Sequence, residues 1–316
     1  MANPNASFDD LLSTTLKNYR TTLVDNIFKA TVVLNHLNER GRVVVETGGY
    51  SIVEPILWDT NGTAGVYAEY ATIPLTPQDG ISAAEYAWKN LAASIAISGP
   101  EEAKNRGKEA VIKLLNARIM QAEMSLKKVL NDQILDGSGA GNNLFGLDVI
   151  AATANNTVGG IDSTSYTWWN PQIDSSTTTL DLDTMAALYN DCSNGTDVPD
   201  LIVAKQTQYQ NFEGLLTNQV RYQDVAKANA GFQNLMFKQT PVVFDKALED
   251  LSTTGDMFFL NSKYLKLTGM SDHWFETTDF QRGTVNGVDA RYALILAYGA
   301  LTCSNRSRQG AFTALT

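Results

Sequence analysis

Apolar residues recur at three- and four-residue steps through Leu11, Leu12, Leu16, Tyr19, Leu23, Ile27 and Phe28, which predicts an arm of helical tendency over 8–40, ending near Gly41. The pattern changes at Gly48-Gly49. The run YSIVEPILW from Tyr50 to Trp58 is β-branched and aromatic, and Pro55 within it predicts an edge strand, because proline has no N–H to give to a ladder. From Asp59 to Gly80 turn-forming residues and aromatics alternate without a helical period. Strand character returns over 85–98, where Ile95 and Ile97 are set against Ser94, Ala96 and Ser98. The whole stretch 48–98 is therefore expected to be a long two-stranded excursion, a hairpin that is marginal alone and needs a surface to lie on.

The clearest element follows. Ser98 and Glu101 have the spacing of a capping box, and Pro100 is tolerated in a first turn where its missing N–H costs nothing. Val111, Leu115, Ile119, Ala122, Leu126, Leu130 and Ile134 then form one stripe, with Lys113, Asn116, Gln121, Lys127 and Lys128 mostly off it, until Gly137 stops the helix. One unbroken helix over 101–135 would be about 52 Å long. A single stripe on so long a helix predicts that it lies across a surface; the alternative is an amphipathic helix in an ordinary bundle.

Residues 137–146 and 151–180, rich in Gly, Ser, Thr and Asn around Trp168-Trp169, are expected to carry little regular structure. A short helix over Asp183–Cys192, ended by Gly195, a buried strand at Leu201–Ala204 and a helix over Gln206–Asn218 suggest a compact β/α unit from about 180 to 250. Three strand-like runs, Met257–Leu267, His273–Phe280 and Ala290–Cys303, are separated by turn signals at Thr268-Gly269 and Asn286-Gly287. They predict an antiparallel meander able to pack under the long helix.

Charge and chemistry then narrow the function. Lys plus Arg number 24 and Asp plus Glu 34, a net charge of −10, which disfavours gripping phosphate backbones or anionic lipid. Two cysteines, Cys192 and Cys303, build neither a disulfide framework nor a metal cluster. No secretory signal and no apolar run of membrane-spanning length is evident, so the cytoplasm is the expected compartment, and the Asn-x-Ser/Thr matches at Asn5, Asn61, Asn155, Asn194 and Asn305 are read as chance. Gly107-Lys108 is followed by Glu109 and lies in the long helix, which excludes a phosphate loop. The glycines at 137, 139 and 141 follow a helix instead of opening one, so a dinucleotide site is excluded too. His36 and His273 are too far apart for a zinc site, and Asp272-His273 reads as a solvated turn. The acidic pairs Asp9-Asp10, Glu101-Glu102 and Glu249-Asp250 read as solvated, and Asp181 and Asp183 lack the glycine and glutamate of a calcium loop. No catalytic constellation, cofactor site or metal site emerges.

The order of segments, together with local wording, carries a resemblance. YSIVEPILW, AWKN (Ala87–Asn90), ISGPEE (Ile97–Glu102), NRG (Asn105–Gly107) and VGGID (Val158–Asp162) before Trp168-Trp169 resemble major capsid proteins of tailed bacteriophages, which have the α+β Hong Kong 97-type fold. The resemblance implies an N-terminal arm over 1–47 and an E-loop over 48–98. It implies a P-domain over 99–180 and 251–316 with the spine helix 101–135, and an A-domain over 181–250. It further implies a non-enzymatic subunit that self-assembles as pentamers and hexamers into an icosahedral head, enclosing double-stranded DNA without sequence-specific contacts. The implied location is the virion capsid, assembled in the bacterial host cytoplasm. Implied partners are copies of itself, a portal, a separate scaffolding protein, since only 1–47 precede the E-loop-like segment, and in some heads a decoration protein. Trp58, Tyr67, Tyr70, Tyr86 and Trp88 are the candidate inter-subunit contacts, being aromatics of the kind that anchor interfaces. Some family members crosslink through an E-loop lysine; Lys89, near the base, is the only lysine in 48–98, so no crosslink is expected.

Two other readings stay open on the residues alone. One is a β-rich phage or bacterial surface or tail-associated binding protein, which accounts for the acidic charge and polar loops but not for the long capped helix. The other is an enzyme with an unfamiliar site, using acids such as Asp181 and Asp183.

Overall fold

A computed structural model of the chain describes residues 31–316 apart from positions 74, 78, 105–107, 217–234, 252 and 283–288. The arm periodicity over 8–30 and the Asn286-Gly287 turn lie outside the described residues. The described helices are α1 (Val32–Glu39), α2 (Gly99–Lys104), α3 (Lys108–Asp136), α4 (Leu147–Ala151), α5 (Leu182–Cys192), α6 (Gln206–Leu216) and α7 (Lys246–Asp250).

The predicted helix stripe is the face that the fold buries. Leu115, Ile119, Ala122, Leu126, Leu130 and Ile134 of α3 are all buried; Val111 lies outside the described side chains. The helix ends at Asp136, one residue before the predicted stop. The predicted capping box is present at the start of α2: the Ser98 N–H donates to Glu101 Oε2 at 3.3 Å and the Glu101 N–H to Ser98 Oγ at 3.4 Å. These bonds satisfy donors that a helix start leaves orphaned. They also hold the Glu101 carboxyl below its ordinary value, the Ser98 backbone N–H contributing most. Residues 105–107, between α2 and α3, lie outside the described residues, so the single unbroken helix is not something the described chain addresses.

The strands are β1 (Val43–Glu46), β2 (Ile52–Leu57), β3 (Ile81–Tyr86), β4 (Lys89–Ser98), β5 (Thr157–Val158), β6 (Ile161–Asp162), β7 (Gln172–Asp174) and β8 (Leu201–Ala204), then β9 (Leu235–Phe237), β10 (Thr240–Phe244), β11 (Met257–Leu260), β12 (Leu265–Met270), β13 (Glu276–Thr277), β14 (Gln281–Arg282), β15 (Ala290–Cys303) and β16 (Gly310–Phe312). The first sheet is organised by β15, which pairs with β4 on one side and with β12, β13 and β14 on the other, while β1 joins parallel to β12. The stripe of α3 packs on β4.

Three expectations change here. Residues 89–98 are not the return strand of the 48–98 hairpin: β4 pairs with β15 from Ser98↔Ala290 to Lys89↔Gly299, and only β2 and β3 form the two-stranded unit. The apolar run 257–267 divides, β11 entering the second sheet and β12 the first. Thr268-Gly269 is not a turn but lies inside β12, where Gly269 is opposite Gly299. A Cβ on Gly269 would come 2.2 Å from the Trp274 ring, so the missing side chain serves close packing and not a bend.

The second sheet runs β7-β16-β11-β8-β10-β9, with β8 and β10 parallel and β11 antiparallel to its neighbours. It joins the β/α segment near 201–244 to strands from 172–174, 257–260 and 310–312, a pairing that local sequence does not announce. Leu201, Val203, Phe258 and Leu260 face the core beneath α3, whereas Ile202, Ala204, Met257 and Phe259 face a second core with Met185, Phe212 and Phe312. Burial on both faces explains why LIVA and MFFL are uninterrupted apolar runs. Arg306 is fully buried between the layers, donating to the carbonyls of Ile150, Val149 and Thr153 at 3.0, 2.9 and 2.8 Å, and so satisfies the C-terminal end of α4.

Candidate inter-subunit surface

The β2–β3 hairpin has two apolar faces. In β2 the side chains of Ile52, Glu54 and Ile56 turn inward while Val53, Pro55 and Leu57 turn outward; in β3, Ala84 and Tyr86 are buried and Ile81 is exposed. Pro55 is opposite Ala83 in a sheet of two strands, so its missing N–H interrupts no outer ladder, as predicted.

The inward face is bolted to the body of the same chain. Glu54, buried, accepts from Lys266 Nζ at 2.8 Å and from Thr302 Oγ1 at 3.1 Å. The Tyr86 hydroxyl donates to the Cys303 carbonyl at 2.8 Å and accepts from the Cys303 N–H at 3.2 Å. Burial holds this phenol well above its ordinary pKa. The Glu85 N–H donates to the Gly159 carbonyl at 2.9 Å. Gly159 and Gly160, at φ of 60° and 76°, form the tight turn between β5 and β6, and a Cβ on Gly159 would sit 2.8 Å from that of Ala84. The VGGID segment is thus the seat of the hairpin.

Residues 58–80 connect the two strands, closed at the base by the Trp58 N–H on the Gly80 carbonyl at 3.1 Å. The connection displays Val66, Tyr70, Ile73 and Leu75 to solvent, continuing the exposed Val53, Leu57 and Ile81 of the strands. An apolar series of this extent, on a segment with no core beneath its outer face, is the property of an interaction surface.

The five candidate aromatics are placed differently. Tyr70 is 97 % exposed and available to a partner. Trp58 is 39 % exposed and already stacked on Trp168, with centroids 5.7 Å apart and planes at 12°. Tyr67 folds back, its hydroxyl donating to the Thr63 carbonyl. Trp88 Nε1–H donates to the Gly49 carbonyl at 3.0 Å and its ring packs partly on the core. Tyr86 is a correction: its side chain is 0 % exposed, so in this subunit it anchors the hairpin to its own chain and presents nothing to a neighbour. Val53, Leu57 and Ile81, which a search for aromatics does not pick out, are the apolar residues exposed on the outward face of the strands. Their signal was present in IVEPIL, where positions of both parities are apolar, meaning that both faces of the strand need cover.

Elsewhere the polar groups explain themselves structurally. Asp181, a candidate acid, caps α5, accepting from the Asp183 N–H at 3.4 Å, while its own N–H donates to Thr184 Oγ1 at 3.3 Å. His273 meets Glu276 at 2.6 Å and packs on Tyr298, and His36 meets Asp200 at 3.3 Å. Cys192 and Cys303 are free and buried, and burial pushes both thiols up to about 12, which leaves them unreactive at neutral pH. Among the described residues no group of three His, Cys, Asp or Glu side chains could hold a metal ion, and no helix is long and apolar enough to cross a membrane.

Several solved capsid chains have the same arrangement. A chain of the cyanophage A-1(L) capsid asymmetric unit superposes with a TM-score of 0.63 at 17 % identity, covering 83 % of this chain and 86 % of that one. A chain of the capsid of a native GTA particle gives 0.59 at 11 % identity, and one from Mycobacterium phage Cain 0.55 at 14 %; each pair covers 88 % and 89 % of the two chains. These likenesses show the Hong Kong 97-type fold. No curated protein sequence matches the chain. The family model for the SU10 major capsid protein matches residues 91–316, from β4 through the long helix and both sheets to the last residue, and the chain belongs to that family of tailed-phage major capsid proteins.

Proposed function

We propose that the chain assembles as pentamers and hexamers into an icosahedral head around double-stranded DNA, and that the β2–β3 hairpin with its connection, residues 52–86, acts as the E-loop, its outward face covered by the neighbouring subunit. The observation that carries this reading is the two-faced hairpin: one face is bolted to the body through Glu54 and Tyr86, while the other exposes Val53, Leu57 and Ile81 with the apolar tip. Burying such a series on a neighbour contributes about 25 cal/mol per Å² before the entropic cost of association. Residues 1–47 correspond to the N-terminal arm, the long helix with the sheet that holds β4, β12 and β15 to the P-domain, and 181–250 to the A-domain, whose sheet is completed by β7, β11 and β16. Trp58, Tyr67, Tyr70 and Trp88 border the contact. The role is structural and non-enzymatic. Assembly takes place in the host cytoplasm with a separate scaffolding protein and a portal, and a decoration protein is compatible with the finished shell. Lys89 donates its ammonium protons to the Gly141 carbonyl of its own chain, which supports a head without lysine crosslinks.

The test is the double variant L57D/I81D, which places charge on the outward face and leaves the inward bonds intact. It should fold with unchanged far-ultraviolet circular dichroism yet lose rings and shells under negative stain when expressed with the scaffold. Shells at wild-type yield would remove this face from the interface.

A further inference from the structure

The tripeptide Asn-Gly-Thr occurs twice among the described residues, at 61–63 in the connection between β2 and β3 and at 194–196 after α5. In both copies the Asn and the Gly are exposed. An Asn that precedes Gly is open to attack by its own chain, because no side chain on the next residue keeps that residue's backbone nitrogen away from the Asn Cγ. Two things then decide the rate: whether the local backbone can bring the nitrogen to Cγ, and whether the side-chain carbonyl is prepared to take negative charge.

The two copies differ on both counts. At 194–196 the turn is closed from both ends, the Asn194 N–H donating to the Asp197 carbonyl at 2.8 Å and the Asp197 N–H to the Asn194 carbonyl at 3.0 Å. Asp197 is itself held by Lys263 Nζ at 2.7 Å and by the Tyr264 hydroxyl at 2.8 Å, and Gly195 sits in the left-handed region at φ of 61°. At 61–63 the turn is closed by the Ala64 N–H on the Asn61 carbonyl at 3.1 Å, in a connection without a core beneath its outer face, so rotation toward the attacking geometry disturbs little. Asn61 Oδ1 also accepts from the Thr63 N–H at 2.9 Å and from the Thr63 hydroxyl at 2.6 Å. Both donors are aimed at the oxygen that becomes negative when Cγ is attacked, the arrangement that stabilises a tetrahedral oxyanion.

We infer that Asn61 is a modification site, deamidated spontaneously by attack of the Gly62 backbone nitrogen on its side-chain amide. The Gly62 N–H gives its proton to hydroxide, the nitrogen's electron pair forms a bond to Cγ, and the pair of the C=O bond moves onto Oδ1. Collapse of that oxyanion breaks the Cγ–Nδ2 bond, and Nδ2 leaves as ammonia with a proton taken from water. A second water opens the cyclic imide at either carbonyl and leaves aspartate or isoaspartate at position 61. The net change consumes one water and releases one ammonia, with nothing oxidised or reduced. The new carboxylate stands two residues from Asp59, in the connection that the assembly reading gives to a neighbour. Under that reading aged subunits carry extra charge where a neighbour docks; the modification itself does not rest on it.

The test incubates the unassembled full chain at neutral and at mildly alkaline pH and follows the peptides that hold Asn61 and Asn194 by mass spectrometry. The Asn61 peptide should gain the amide-to-acid mass several-fold faster than the Asn194 peptide, yield both products, and react faster at the higher pH. Equal rates, or faster conversion at Asn194, would overturn the assignment. In denaturant the two identical tripeptides should convert at like rates; a difference of the same size there would mean that flanking residues and not the fold select Asn61. Thr63→Val keeps the backbone N–H and the branched shape but removes the hydroxyl, and it should slow Asn61 several-fold while leaving Asn194 unchanged. An unchanged rate at Asn61 would contradict the role of that donor. These rates are read on the soluble subunit and do not depend on whether shells form, so the failure of this inference is distinguishable from that of the assembly reading.

Discussion

Tyr86 and Cys303, on strands β3 and β15, are joined twice: the phenol donates to the Cys303 carbonyl at 2.8 Å and accepts from its N–H at 3.2 Å. This pair of hydrogen bonds to the backbone of one residue fixes where the hairpin leaves the body. A hydroxyl so placed cannot be replaced by water without opening the core around Phe145 and Gly159, which pack on the same ring. Tyr86→Phe keeps the ring and removes only the oxygen. It is expected to destabilise the subunit by about 1–3 kcal/mol, the cost of leaving buried partners unpaired, measured by denaturant unfolding. Unchanged stability would mean that the hairpin base is held by packing alone.

Glu54 and Lys266 offer a complementary test. Lys266→Met strands a buried carboxylate, which typically costs about 3–5 kcal/mol for a fully enclosed pair and less here, because Lys266 is partly exposed and Thr302 remains as a donor. The double variant with Glu54→Gln should recover part of the loss, since no charge is then left buried. A double variant less stable than Lys266→Met alone would show that the ion pair is not what couples the hairpin to β12.

Asp200 predicts a pH dependence. Burial alone would raise its carboxyl, but the close approach of His36 Nε2 at 3.3 Å, followed by the hydrogen bonds from Ser262, holds it below its ordinary value of 3.8. The folded-state pKa lies under the unfolded one, so this stabilisation is fully present above about pH 4 and is lost as pH falls through the folded value. Wild-type stability should therefore drop below pH 4 more steeply than that of Asp200→Asn, in unfolding curves taken from pH 6 to pH 2. Parallel slopes would place the acid sensitivity elsewhere.

What could be read in advance follows from where each constraint acts. The stripe from Leu115 to Ile134 was legible because one helix face meets one core, so burial imposes the period of the helix on the sequence. The Ser98–Glu101 box was legible because its partners are three residues apart. The second sheet was not, because β16 meets β7 across more than a hundred residues and both faces of β8 and β11 are buried, which erases the strand period. Gly269 was read as a turn because glycine in a sequence does not distinguish a bend from the close approach of Trp274. Tyr86 was read as an outward anchor because strand alternation tells which residues share a face, but not whether that face meets its own chain or a neighbour's. The outward apolar face was legible in IVEPIL itself, yet the choice of large aromatics passed over Val53 and Leu57.

The most direct measurement is negative-stain electron microscopy of the full chain, expressed alone and with the separate scaffolding protein proposed for it, after size exclusion. The account predicts rings of five and six subunits or closed shells; a monodisperse monomer or dimer even with scaffold present would contradict it.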